Sequence, residues 1–170
     1  MKPSLDKPVV SLDVSFGEAP PQSMVTPLCQ SLCELCRPVL ADDDAAARLR
    51  LTAHELLENI VKYSAESGCR FRFELHRAMG ALSALIETSN QPAPAHRADA
   101  EARLDALTAA GDPLEHYDSV IADSAQRPAG SGLGLARIHA ETEYRLSYRC
   151  DGPTLVIAAS GQVLLRKAAP

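Results

Sequence analysis

Apolar and polar positions along the chain switch between a period of two and helical spacing, and most switches fall at turn residues. Residues 8–16, PVVSLDVSF, alternate and predict an opening strand. After the loop GEAPPQS, apolar residues recur at helical spacing from Ser23 to Leu40, with Pro27 tolerated in the first turn. The stretch ADDDAAARLRLTAHELLENIVKYSAESG predicts one long helix. Asp42, Asp43 and Asp44 cap it and suit its positive end, and Gly68 marks its close. In CRFRFELHR, Cys69, Phe71, Phe73 and Leu75 alternate with Arg70, Arg72, Glu74 and His76, giving a strand with one buried and one wet face. AMG turns that strand into a second, ALSALIET, predicting a hairpin. SNQPAPAH is a loop, and residues 98–110 and 113–126 predict two helices broken at GDP. A glycine-rich loop then opens another helix, and YRLSYRC, the turn DGP, and strands TLVIAAS and QVLLRKA follow.

Strands adjacent in sequence as hairpins argue against a doubly wound nucleotide fold, which needs strand–helix alternation. They predict an α/β (α+β) two-layer sandwich, with a mixed, mostly antiparallel sheet and helices on one face. At 170 residues the chain is sized for a single domain, 1–170. Aromatics make up only 4% of the chain, with no Trp, so aliphatic and alanine side chains must fill the core. A net charge of −5 and the absence of any basic stripe interleaved with aromatics exclude a nucleic-acid binder. The N-terminus lacks a signal-like apolar run, and TLVIAAS is far too short to span a membrane. Five cysteines form no disulfide framework, so a cytoplasmic setting is expected.

Two stretches carry candidate chemistry. RPAGSGLGLARIHAE places Gly130, Gly132 and Gly134 at alternate positions immediately before a helix. Glycines let the backbone approach a ligand, and the following helix N-terminus favours an anion such as phosphate; a plain flexible loop is the alternative. No Lys-Ser/Thr pair follows, so it is not a P-loop. In HELLENIVKYS, Glu55 and Asn59 lie about 40° apart around the helix, and Lys62 returns to within about 20° of Glu55. A carboxylate, an amide oxygen and an ammonium on one stripe could position a water, hold Mg²⁺ and meet a phosphate, whereas the plain reading is a solvated amphipathic face. CQSLCELC spaces Cys29, Cys33 and Cys36 like the cluster motif of radical enzymes that use S-adenosylmethionine. The same spacing is one helix face, completed by Leu32, and small buried hydrophobes explain it better. The five histidines show no metal-ligand spacing, and no triad-type nucleophile is present.

An E-x-x-x-N helix, a hairpin, a helical stretch and then G-x-G-x-G opening a helix resemble, in that order, the GHKL ATPases (histidine-kinase and gyrase-like, with the Bergerat fold). ELLENIVKYS looks like that superfamily's Asn-containing helix, and GSGLGLARIHAE like its glycine box. The resemblance spans residues 45–160 and is greatest to the stand-alone anti-sigma-factor serine/threonine kinases. It implies ATP and Mg²⁺ as cofactors, with Asn59 as a metal ligand and Glu55 orienting or deprotonating the attacking group. Lys62 would face the phosphates, and Gly130, Ser131, Gly132, Leu133 and Gly134 would wrap them. It also implies a regulatory protein partner resembling an anti-anti-sigma substrate, and a homodimer. The chain departs from the superfamily at its Asp-x-Gly-x-Gly adenine box, where ETSNQPAPAH stands instead. Asn90 or Glu87 is the nearest candidate there, and Asn can still accept from an amine, but Pro92 and Pro94 cannot give the positive φ of glycine. Residues 97–126 predict a lid-like helical insertion, which could cover a pocket or present a partner surface, or more plainly extra core helices, with candidate apolar anchors Leu104, Leu107, Leu114, Tyr117, Val120 and Ile121. Two functions are therefore expected: a Mg²⁺/ATP-dependent serine/threonine protein kinase of a partner-switching pathway, or a non-catalytic module that kept the fold and binds proteins.

Overall fold

The computed structural model describes residues 7–40, 43–65, 68–78, 81–124 and 132–163. Strand alternation is fully expressed in β2, Cys69–Ala78, and β3, Ala81–Asn90. Cys69, Phe71, Phe73 and Leu75 of β2 and Leu82, Ala84 and Ile86 of β3 point into the core, and the intervening side chains face away from it. β1, Val10–Phe16, pairs with the outer edge of β2. On the other side β3 pairs with β5, Thr154–Val163, which is also joined to β4, Arg145–Asp151, in a hairpin. The order is β1-β2-β3-β5-β4 and every pairing is antiparallel, so the sheet is not mixed. TLVIAAS and the start of QVLLRKA are one strand rather than two. The chain continues straight through Gly161, where a methyl group would overlap the buried Tyr144 ring.

The helices lie on one face of this sheet. α1, Val25–Cys36, follows a 3₁₀ turn at Gln22–Met24 and buries Val25, Cys29, Leu32 and Cys36. Cys29 and Cys36 thus share a core stripe with Leu32, and Cys33 at its border is half-buried. Burial pushes the Cys29 and Cys36 thiols up to about 12, far from the thiolate form a metal cluster requires. α2, Asp43–Tyr63, lays Leu49, Ala53, Leu56, Leu57 and Ile60 on the sheet. It ends at Tyr63, short of Gly68. Ser64 bridges to Pro92, and the Ile60 carbonyl accepts from both its N–H, at 3.1 Å, and its Oγ, at 2.7 Å. Gly68 instead takes φ +95 in the turn into β2.

α3, Pro94–Ala109, begins with a proline, where the missing N–H costs nothing, and buries Leu104 and Leu107. Polar bonds hold it to β4 and the turn after it: Tyr148 Oη donates to Asp105 at 2.8 Å, and the Arg97 guanidinium donates to the Gly152 carbonyl at 2.6 Å. α4, Pro113–Ser124, packs on α5, Leu133–Glu141, with Tyr117 and Val120 turned inward. Two expected anchors, Leu114 and Ile121, are instead exposed at 61% and 43%. The opposite sheet face carries ion pairs: Asp13 with Arg70, Glu74 with Arg72 and His76, and Glu87 with Arg149. No helix among the described residues is long and apolar enough to cross a membrane.

Candidate functional site

A cavity of about 440 Å³ opens where α2, the end of β3, α3 and the start of α5 meet over β5. Glu55, Asn59 and Lys62 line it from α2, because the apolar stripe that docks α2 leaves these residues on its flank. Asn90 enters from the end of β3, and Gly132, Leu133 and Gly134 from the start of α5. Gly130 and Ser131 lie outside the described residues. Seven of the nine residues singled out in the sequence are therefore brought together.

Gly132 and Gly134 have separate steric reasons to be glycine. Gly132 is the N-cap of α5 at φ +64, a left-handed conformation, and a methyl group there would overlap the Arg103 guanidinium. At Gly134 a methyl group would overlap the Glu55 carboxylate. The start of α5 thus lies directly against the acid of α2, and the loop's alternate glycines permit that approach.

Glu55 has a side chain only 16% exposed, and its pKa is raised by burial and by the neighbouring Glu58 charge. Arg137 of α5, 3.5 Å away, opposes the rise. A buried carboxylate whose pKa is raised is a stronger base than an exposed one, which suits it to accept a proton from a neighbouring hydroxyl. Asn59 Nδ2 is buried without a hydrogen-bond partner among the described residues. That is unusual for a buried polar group and fits one reserved for a ligand. A neutral amide oxygen beside a carboxylate suits Mg²⁺, which binds few protein oxygens and fills its shell with phosphates and water. Lys62 lines the rim, but its ammonium is bonded to Glu58 at 2.6 Å, one turn back, rather than presented freely to the cavity.

At the other end, Asn90 is 8% exposed and its orientation is set by a short network. Ser64 Oγ spends its proton on the Ile60 carbonyl, at 2.7 Å. It accepts from the Cys69 thiol at 3.1 Å and from Asn90 Nδ2 at 3.2 Å. Because Ser64 has no second proton to give, the Asn90 amide must turn its nitrogen to Ser64, leaving Oδ1 as the atom available to a ligand. Leu155, the register partner of Asn90, and Ile157 provide apolar surface beside it. Tyr63 and His96 meet edge-on nearby, with ring centroids 5.5 Å apart. The prolines that replace the glycine box do other work: Pro92 bridges to Ser64 and Pro94 starts α3.

Glu87, the alternative to Asn90, points to the opposite sheet face and binds Arg149 at 2.8 Å. Tyr63, His96, Arg103 and Arg137 were not found in the sequence. The spacing of His96, Asp99, Ala100 and Arg103 is one helix face and carried that signal, but nothing in the sequence said the face would turn toward the glycines.

No protein-family model and no curated protein matches this chain. Among solved structures it is similar to a chain of the SiaB–SiaC complex from Pseudomonas aeruginosa, with a TM-score of 0.59 and 12% identity, over 92% of this chain and 91% of that one. At that identity the likeness concerns the fold.

Proposed function

We propose that this chain is a regulatory domain that binds Mg²⁺·ATP in the α2–β3–α5 cavity and phosphorylates serine or threonine on a protein partner, as in an anti-sigma-type partner-switching pathway. The observation that carries the reading is Asn90, fixed by Ser64 as a hydrogen-bond acceptor beside an apolar wall. An acceptor there suits the exocyclic amine of adenine and meets guanine's carbonyl as a repulsion. Asn90 thus takes the place of the absent carboxylate. The glycines and the start of α5 suit the phosphates, Asn59 would hold Mg²⁺, and Glu55 would take the acceptor hydroxyl's proton. The metal, when bound, would supply charge neutralisation at the phosphates. The likeness to a chain crystallised with a partner protein supports a protein as the target.

A second reading, a non-catalytic protein-binding module, is favoured by the Glu55–Arg137 ion pair and by Lys62's attachment to Glu58. It predicts no phosphoryl transfer even where nucleotide binds.

Calorimetric titration tests the adenine reading. ATP should bind roughly 10- to 100-fold more tightly than GTP, the cost of leaving a buried acceptor facing another acceptor. Ser64→Ala frees the Asn90 amide to turn over and should erase most of that preference. Equal affinities in the wild type would remove Asn90 from base recognition.

A further inference from the structure

Arg103 belongs to neither the Glu55–Asn59 stripe nor the glycine loop, yet it lines the cavity beside Gly132 at the start of α5. It projects from α3, seven residues beyond His96, and its guanidinium packs directly on Gly132. Its side chain is 24% exposed, so most of it is inside the molecule. The guanidinium therefore stands at the N-cap of α5, where the helix dipole is also positive. Two positive features facing one space repel unless an anion lies between them. Among the described residues the ion partner of Arg103 is Asp99, one turn back on the same helix at 2.8 Å, and that carboxylate is 58% exposed. Exposed pairs of this kind are weak and readily exchanged. Of the other carboxylates nearby, Glu55 is paired with Arg137, and Asp123 of α4 lines an adjoining groove that Arg103 and Gly132 share. A guanidinium presents a planar fork of donors that matches phosphate oxygens, which an ammonium such as Lys62 does not.

We propose that Arg103 is a phosphate-binding residue of this cavity, exchanging Asp99 for the phosphate oxygens of ATP when nucleotide enters. The proposal rests on the reading of the cavity as a nucleotide site, and it assigns to α3 a role in ligand binding as well as packing. It also replaces Lys62, whose ammonium is engaged by Glu58, as the principal cation toward the phosphates.

The test is a calorimetric series of ATP, ADP, AMP and adenosine against wild type, Arg103→Ala, Arg103→Lys and Asp99→Asn. Arg103→Ala should weaken ATP by roughly 10- to 100-fold, the range for a lost charge-assisted contact, and leave adenosine within about twofold. Arg103→Lys should recover part of the loss, as a point charge without the fork. Asp99→Asn, which removes the ion pair but keeps the guanidinium, should bind ATP as tightly as wild type or more so. Equal losses for ATP and adenosine, an unchanged ATP affinity in Arg103→Ala, or an Asp99→Asn that behaves like Arg103→Ala would overturn the assignment. If those results come with the ATP-over-GTP preference intact, only Arg103 is misassigned. If wild type binds no nucleotide at all, the cavity reading and the assignment fall together.

Discussion

Replacing Glu55 with glutamine is expected to slow transfer of the γ-phosphoryl group from ATP by roughly 10²- to 10⁴-fold, the usual contribution of a positioned general base. Binding of Mg²⁺·ATP should be little changed, since glutamine keeps the size and one oxygen of the side chain. Stability should not explain the loss. Burial and the Glu58 charge raise the Glu55 pKa in the folded protein, so the folded state holds this proton more tightly than the unfolded chain. Ionising Glu55 therefore costs stability as pH climbs from the ordinary carboxylate range through the raised value. Glutamine removes that cost, and Arg137 keeps its second partner, Glu141, at 3.1 Å. The variant should accordingly melt at the wild-type temperature or higher at neutral pH. The wild-type rate should rise with pH across the same window and the variant's should not. A variant rate within about twofold of wild type would assign the proton to another group.

The largest effect on stability is expected at Phe73. It is fully buried at the middle of β2, opposite Leu12 of β1 and Ile86 of β3, in the core that α2 covers. Phe73→Ala should cost about 3–5 kcal/mol through lost burial and the cavity left behind. Domains of this kind are stable by only about 5–15 kcal/mol, so the variant should sit near the edge of folding. Urea unfolding would show this as a lower midpoint with an unchanged slope. A loss below about 1 kcal/mol would mean that the sheet face is not packed as described.

The strands of the hairpin at residues 69–90 were legible because one face is wet and the other dry, and the period of two leaves no other reading. The same holds for α2, whose apolar stripe left Glu55, Asn59 and Lys62 together on its flank. Its end was misplaced because Gly68 is a stronger local signal than Ser64, whereas the helix is stopped by a tertiary contact, the bridge to Pro92. Gly161 looked like a break between strands, but the glycine is there for the Tyr144 ring packed on it. The prolines of SNQPAPAH argued against a base site by the absence of glycine. They could not reveal that Ser64, twenty-six residues earlier, orients Asn90 as an acceptor. Arg103 and Arg137 were invisible for the same reason: each acts across elements whose packing no local pattern specifies.

The central claim is that Mg²⁺·ATP binds between α2, Asn90 and the start of α5. It is tested most directly by titrating the 18.2 kDa chain with ATP, with and without Mg²⁺, and following backbone and asparagine side-chain amides by NMR. The account predicts saturable shifts at Asn59, Asn90, Gly132 and Gly134 that are strengthened by Mg²⁺, with the Mg²⁺ effect lost in Asn59→Ala. No shift at millimolar Mg²⁺·ATP, or shifts confined to the charged outer face of the sheet, would contradict it.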